Sequence, residues 1–116
     1  MFKVIVAGSR DFYNYDLVCE KLDYLLRNKD EVCIICGMAQ GADSLGQEYA
    51  INHRTYIKYF PADWNKHGKK AGILRNIEMA ENADALVAFW NGESRGTKHM
   101  IEIAKEKGLE VRVVYV

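Results

Sequence analysis

The sequence predicts one α/β domain built on a five-stranded, mainly parallel sheet with helices on both faces, and three observations carry that prediction. Five short apolar, β-branched runs recur along the chain, at Phe2–Ala7, Glu31–Cys36, Tyr56–Phe60, Ala85–Phe89 and Val111–Val116. Helix-like stretches separate them, and strands that alternate with helices of this length build parallel sheets. The runs are nearly continuously apolar rather than alternating, as strands covered on both sides are. At 116 residues and 49% hydrophobic composition, the chain matches a single packed core over residues 1–116.

Taken in order, Phe2–Ala7 is expected at the centre of the sheet, with Val4 and Val6 buried on one face and Ile5 and Ala7 on the other. The first helix should run from about Tyr15 to Asn28. Val18, Leu22, Leu25 and Leu26 give it a one-sided apolar stripe, and Asn14 is placed to cap it. The strand Glu31–Cys36 holds two of the three cysteines, Cys33 and Cys36, the third being Cys19. Strand positions three apart face opposite sides, so this CxxC does not read as a redox or zinc motif. Buried thiols in a reducing cytoplasm fit better. A second helix follows Gly41-Ala42-Asp43 to about His53. Beyond Tyr56–Phe60 lies a polar loop from Pro61 to Gly72, longer than most connections of its kind, with Trp64 as a candidate lid over a ligand. The third helix, about Lys70 to Glu81, carries Ile73, Leu74, Ile77 and Met79. That is more apolar surface than one side of a small sheet needs, and it predicts a C2 homodimer. The last helix should run from Thr97 to Lys107 and stop at Gly108.

Sixteen basic and sixteen acidic residues balance to a net charge of zero, which argues against nucleic acid as partner. No apolar stretch approaches the ~18 residues of a membrane span, and Met1-Phe2-Lys3-Val4 leads straight into a strand rather than a signal peptide. A cytoplasmic protein is expected. His53, His67 and His99 are scattered without ligand spacing, so neither a metal nor a cofactor is expected, and His99 reads as an exposed residue.

Polar residues collect at three strand ends: Gly8-Ser9-Arg10-Asp11, Gly37-Met38-Ala39-Gln40-Gly41-Ala42-Asp43-Ser44, and Trp90-Asn91-Gly92-Glu93-Ser94-Arg95-Gly96-Thr97. Each joins a strand to a helix, so all three lie on the carboxyl edge of the sheet, where parallel α/β folds bind ligands. Anion binding is the chemistry they suit. Gly8, Gly37, Gly41, Gly92 and Gly96 let backbone approach a ligand, and the free N–H groups of a helix start attract phosphate. Ser9, Ser94 and Thr97 add hydroxyls, and Arg10 or Arg95 a charged fork. Asp43 suits a ribose hydroxyl or a helix cap, and Trp90 a base or the core. The N–H groups of Gly92 to Thr97 are expected to hold the anion. The chain has neither the lysine of a Walker A loop nor a GxGxxG after its first strand.

"GSRDF", "GMAQGAD", "LRNIEMA" and "WNGESRGTKHMIEIA" stand in an order and spacing that resemble the YspA-like members of the SLOG superfamily over nearly the whole chain. The resemblance implies a Rossmann-like three-layer domain with strand order 3-2-1-4-5 that binds nucleotides or nucleotide-derived small molecules. The superfamily also holds DNA-processing proteins and the lonely-guy phosphoribohydrolases. Gly96-Thr97 is similar to the glycine-threonine pair of those hydrolases, and Arg75, followed by Asn76, is similar to their helix arginine. Met100 stands where they carry an essential glutamate. Glu102 lies about 200° further round the helix and cannot replace it, which leaves Glu78 or Asp11 as substitutes. The resemblance thus implies a sensor or binding module. A hydrolase of an N-glycosidic or phosphoester bond, with no catalytic residue identified, is the alternative, and a DNA-associated protein the third class.

Overall fold

Val4–Ala7 can be buried on both sides only in the middle of a sheet. In the computed structural model, which describes residues 1–116, β1 (Phe2–Gly8) lies there. It is followed by α1 (Tyr15–Leu26), β2 (Val32–Cys36), α2 (Ala42–His53), β3 (Tyr56–Tyr59), α3 (Trp64–His67), a 3₁₀ turn at Gly68–Lys70, α4 (Ala71–Glu81), β4 (Ala85–Trp90), α5 (Arg95–Glu106) and β5 (Glu110–Tyr115). The sheet order is β3-β2-β1-β4-β5 and every pairing is parallel, with Val4 opposite both Ile34 and Ala85. The expected order and parallel sense are both observed.

The pleat sends β1 side chains into two cores. Val4 and Val6 pack with Val18 and Leu22 of α1 and Leu45 and Tyr49 of α2. Ile5 and Ala7 pack with Met79 and Ala80 of α4 and Met100, Ile101 and Ala104 of α5. The cysteines follow the same alternation. Cys33 joins the second core, while the Cys36 thiol reaches toward the Asp43 carbonyl on the side of α2, and burial raises both thiols above their ordinary range. No helix is long and apolar enough to cross a membrane.

Helix ends follow their caps. Asn14 Oδ1 accepts the Leu17 N–H at 3.1 Å, and α1 closes at Leu26, two residues early, where the Arg27 N–H turns back to the Tyr24 carbonyl. α5 starts at Arg95, two residues early, because Ser94 rather than Gly96 is its cap. The polar loop holds more structure than its composition shows: Asp63 caps α3 through the Lys66 N–H at 3.0 Å, and the 3₁₀ turn leads directly into α4. A four-residue helix is too short to have a legible period. The apolar surplus on α4 is smaller than its sequence implies, since Met79 is buried and Ile77 half-buried, leaving Ile73 and Leu74 exposed.

Gly46 sets how closely α2 lies on β1, because a Cβ there would stand 2.7 Å from the Val6 Cβ. Alanine is favoured over glycine in a helix by about 1 kcal/mol, but overpacking a core costs about 1–3 kcal/mol. Gly46→Ala should therefore lower the urea midpoint with an unchanged slope; an equal or higher midpoint would contradict the close approach.

Candidate functional site

Strand order reverses at β1, so the loops after β1 and β4 part and open a crevice at the carboxyl edge. A cleft of about 480 Å³ occupies it, within the usual range for small-molecule sites. It is lined by Gly8 and Arg10 from the end of β1, Ala39 and Asp43 after β2, Arg75 and Asn76 of α4, and Ser94 to Thr97 with His99 at the start of α5. Trp64 and Lys69 reach it from the polar loop. A recess of about 430 Å³, including Gly37 and Pro61, adjoins it and shares Arg10, Ala39, Trp64 and Arg75.

Charge is concentrated here. Arg10, Lys69, Arg75 and Arg95 line the cleft, and Asp43 is the one carboxyl among the lining residues. The ion pairs of the chain lie elsewhere: Asp23 with His53, Lys98 with Glu102, Lys107 with Glu81 and Arg112 with Glu110. A chain of zero net charge thus brings four cations to one cleft; Arg75 is engaged by Gly37, Asn76 and the Asp43 charge, while Arg10, Lys69 and Arg95 form none of these ion pairs.

Asp43 is 6% exposed, in the first turn of α2, and its Oδ2 accepts the Ala39 N–H at 3.4 Å. Burial pushes its carboxyl up to about 6, against the opposing pull of the Arg75 charge and of that hydrogen bond. Gly37 explains itself by space. A Cβ there would lie 2.8 Å from Arg75 Nη1 and 2.9 Å from Asp43 Oδ2. Arg75 donates from Nη1 to the Gly37 carbonyl and from Nε to Asn76 Oδ1 at 3.2 Å, and Asn76 Nδ2 donates to the Gly96 carbonyl at 3.3 Å. One guanidinium and one amide tie the β2–α2 loop to the start of α5.

Of the residues expected at the site, Gly8, Arg10, Asp43, Arg75, Asn76, Ser94, Gly96 and Thr97 line the cleft, and Gly37 the recess. The others face elsewhere. Ser9 is buried, its Oγ accepting the Asn91 N–H at 3.1 Å, so it joins two loops rather than facing the cleft. Gly41, at φ +72°, lies against the carbonyls of Ser9 and Arg10. Trp90 donates Nε1–H to the Ser94 carbonyl at 3.1 Å and leans on Tyr115. Gly92 takes a left-handed turn, φ +82°, outside the cleft. Glu78 and Asp11 are also outside it.

The expected run of anion-binding N–H groups narrows. Asn91 Oδ1 takes those of Glu93 and Ser94 at 2.8 and 2.9 Å, and Ser94 Oγ takes that of Thr97 at 3.4 Å. The N–H groups of Arg95 and Gly96 have no partner in the chain. Lys69 and His99 are cleft residues the motif pattern missed. His99, expected to be exposed, is half-buried. Its position three after Gly96 puts both on one helix face, a spacing that could have identified it.

Residues 2–67 match the family described as YspA, cpYpsA-related SLOG. The chain is 37% identical over 118 residues to the gene 61 protein of Mycobacterium phage D29, covering 96% of this chain and 94% of that protein. Its fold is similar to that of the DNA processing protein A of Streptococcus pneumoniae, with TM-score 0.78 and 19% identity over 97% of this chain, which spans 50% of that protein's length. It is also similar to TM1055, with TM-score 0.69 and 20% identity over 96% of this chain and 72% of that one.

A carboxyl that binds its proton more tightly folded than unfolded loses native stability as pH rises between its two values. Here stability should fall by about 3 kcal/mol as pH rises from the ordinary aspartate range to about 6, where the folded-state Asp43 titrates. Asp43→Asn should flatten that part of the profile in urea unfolding at stepped pH, and an unchanged slope in the variant would contradict the assignment.

Proposed function

We propose that this chain, which belongs to the YspA, cpYpsA-related SLOG family, binds a nucleotide or nucleotide-derived anion in the cleft at the carboxyl edge of its sheet, as a sensor or binding module. One observation carries the reading: four cations and the two free N–H groups at the start of α5 converge on one cleft that holds a single carboxyl. A phosphate group would meet fork-shaped donors and helix N–H groups together among the residues that line the cleft. Trp64, 55% exposed at the mouth, offers a flat apolar face for a base, and the adjoining recess gives room beyond the phosphate.

The binding-module form is favoured over the hydrolase because of the carboxyl count. Where the similar hydrolases carry their essential glutamate this chain has the buried apolar Met100, one helix turn after Gly96, and Asp43 is the one carboxyl lining the cleft. A DNA-associated role has the zero net charge against it.

A thermal-shift screen against mononucleotides, ADP-ribose, NAD and cyclic dinucleotides tests the proposal, with chromatography of each hit for products. Saturable stabilisation without products is expected; a cleft indifferent to all of them would overturn it. Gly96→Val separates binding from folding, because a Cβ at Gly96 meets no atom within 4 Å. It should leave the fold intact and weaken the best binder by ~10-fold or more, equivalent to ~1.4 kcal/mol. Unchanged affinity would remove the Arg95–Gly96 site. Gly8→Val is no equivalent test, since its Cβ would meet the Phe89 carbonyl and disturb the sheet itself.

A further inference from the structure

We propose that His99 is a further ligand-contacting residue that selects for an oxygen acceptor, its imidazole fixed by Asn76 so that Nε2–H is presented to the occupant of the cleft. The inference rests on the reading of this cleft as an anion site and adds a specificity determinant to it.

Hydrogen-bond valence sets the orientation of both side chains. Asn76 is 7% exposed, and both the oxygen and the nitrogen of its amide have partners. Arg75 Nε, 3.2 Å away, is a donor and nothing else, so the atom it meets must be the amide oxygen. The Gly96 carbonyl, 3.3 Å from the other amide atom, is an acceptor and nothing else, so that atom must be the nitrogen. Two independent neighbours therefore fix the amide in one orientation. Its nitrogen also lies 3.1 Å from His99 Nδ1, and the second N–H of the amide is left for that contact. Nδ1 must accept, and the ring proton sits on Nε2.

This makes His99 different from its neighbours. Arg10, Lys69, Arg75 and Arg95 bring charge to the cleft. His99 brings a directed donor on the helix face it shares with Gly96. A phosphate or carbonyl oxygen satisfies Nε2–H, whereas an amino group at the same position leaves two donors facing each other. Because Arg75 also holds the Gly37 carbonyl, Asn76 acts as a positioning residue that links the β2–α2 loop to the imidazole.

Two-bond proton–nitrogen NMR spectra of the ¹⁵N-labelled chain at neutral pH test the first half without any ligand. His99 should show an unprotonated Nδ1 and a protonated Nε2; the opposite tautomer or an imidazolium would overturn the inference. Asn76→Asp, which offers only acceptors, should move the proton to Nδ1, and an unmoved proton would show that Asn76 does not set it. AMP and ADP-ribose are the probes for the second half. Their addition should shift the Nε2 resonance saturably. His99→Gln, whose amide nitrogen reaches the position of Nε2, should keep affinity within about threefold. His99→Asn, whose amide reaches only the position of Nδ1, should lose roughly 5- to 10-fold, with circular dichroism showing both variants folded. Equal affinity in both variants would overturn the role of His99 alone. A wild-type chain that binds neither probe would overturn this extension, and one that also binds no other nucleotide of the thermal-shift screen would overturn the nucleotide reading of the cleft.

Discussion

Gly8 at the end of β1 pairs with Phe89 near the end of β4, and the rest of the cleft depends on that parallel register. The two strands leave the sheet side by side while their helices depart to opposite faces. A side chain at Gly8 would meet the Phe89 carbonyl, the same carbonyl that accepts the Ser9 N–H at 3.0 Å. Ser9 Oγ then holds the Asn91 N–H, Asn91 Oδ1 holds those of Glu93 and Ser94, and Ser94 caps α5. Sheet register is passed through an unbroken series of hydrogen bonds to the start of α5, where the N–H groups of Arg95 and Gly96 remain free. The buried Ser9 is thus the joint between the loops after β1 and β4.

The opposite wall is held by charge rather than register. Arg75 bridges the Gly37 carbonyl and Asn76 beside the buried Asp43, whose carboxyl is raised toward neutrality by the absence of water. Such a carboxyl lowers stability near neutral pH, and it sits in the one cleft that Arg10, Lys69, Arg75 and Arg95 also line. Groups that cost folding energy and converge on a cleft are what a binding site requires. Oxygen acceptors of a nucleotide would satisfy the cations that the chain itself leaves without partners.

Architecture was legible in the sequence because long apolar runs and helical stripes leave little choice of face. Val4 and Val6 against Ile5 and Ala7, and the stripe of α1, fell where their periods put them. The edge that carries the cleft was legible too, since three glycine-containing strand ends must share it. The division of labour within those loops was not. Ser9, Trp90 and Gly92 have the same chemistry as contacting residues, and only the fold turns Ser9 toward Asn91 and Trp90 toward the Ser94 carbonyl. The short helix Trp64–His67 lacked a period, and His99 lacked a motif. Both became visible once the loops were brought together in space.

The central claim is that an anion sits on the free N–H groups at the start of α5. Titrating ADP-ribose into the ¹⁵N-labelled chain and following every backbone amide tests it most directly. The account predicts saturable shifts that are largest at Arg95 and Gly96 and smaller at Glu93, Ser94 and Thr97, whose N–H groups already have partners. The absence of saturable change, or largest shifts in the groove of Tyr24 and Arg112 on the other side of the sheet, would contradict it.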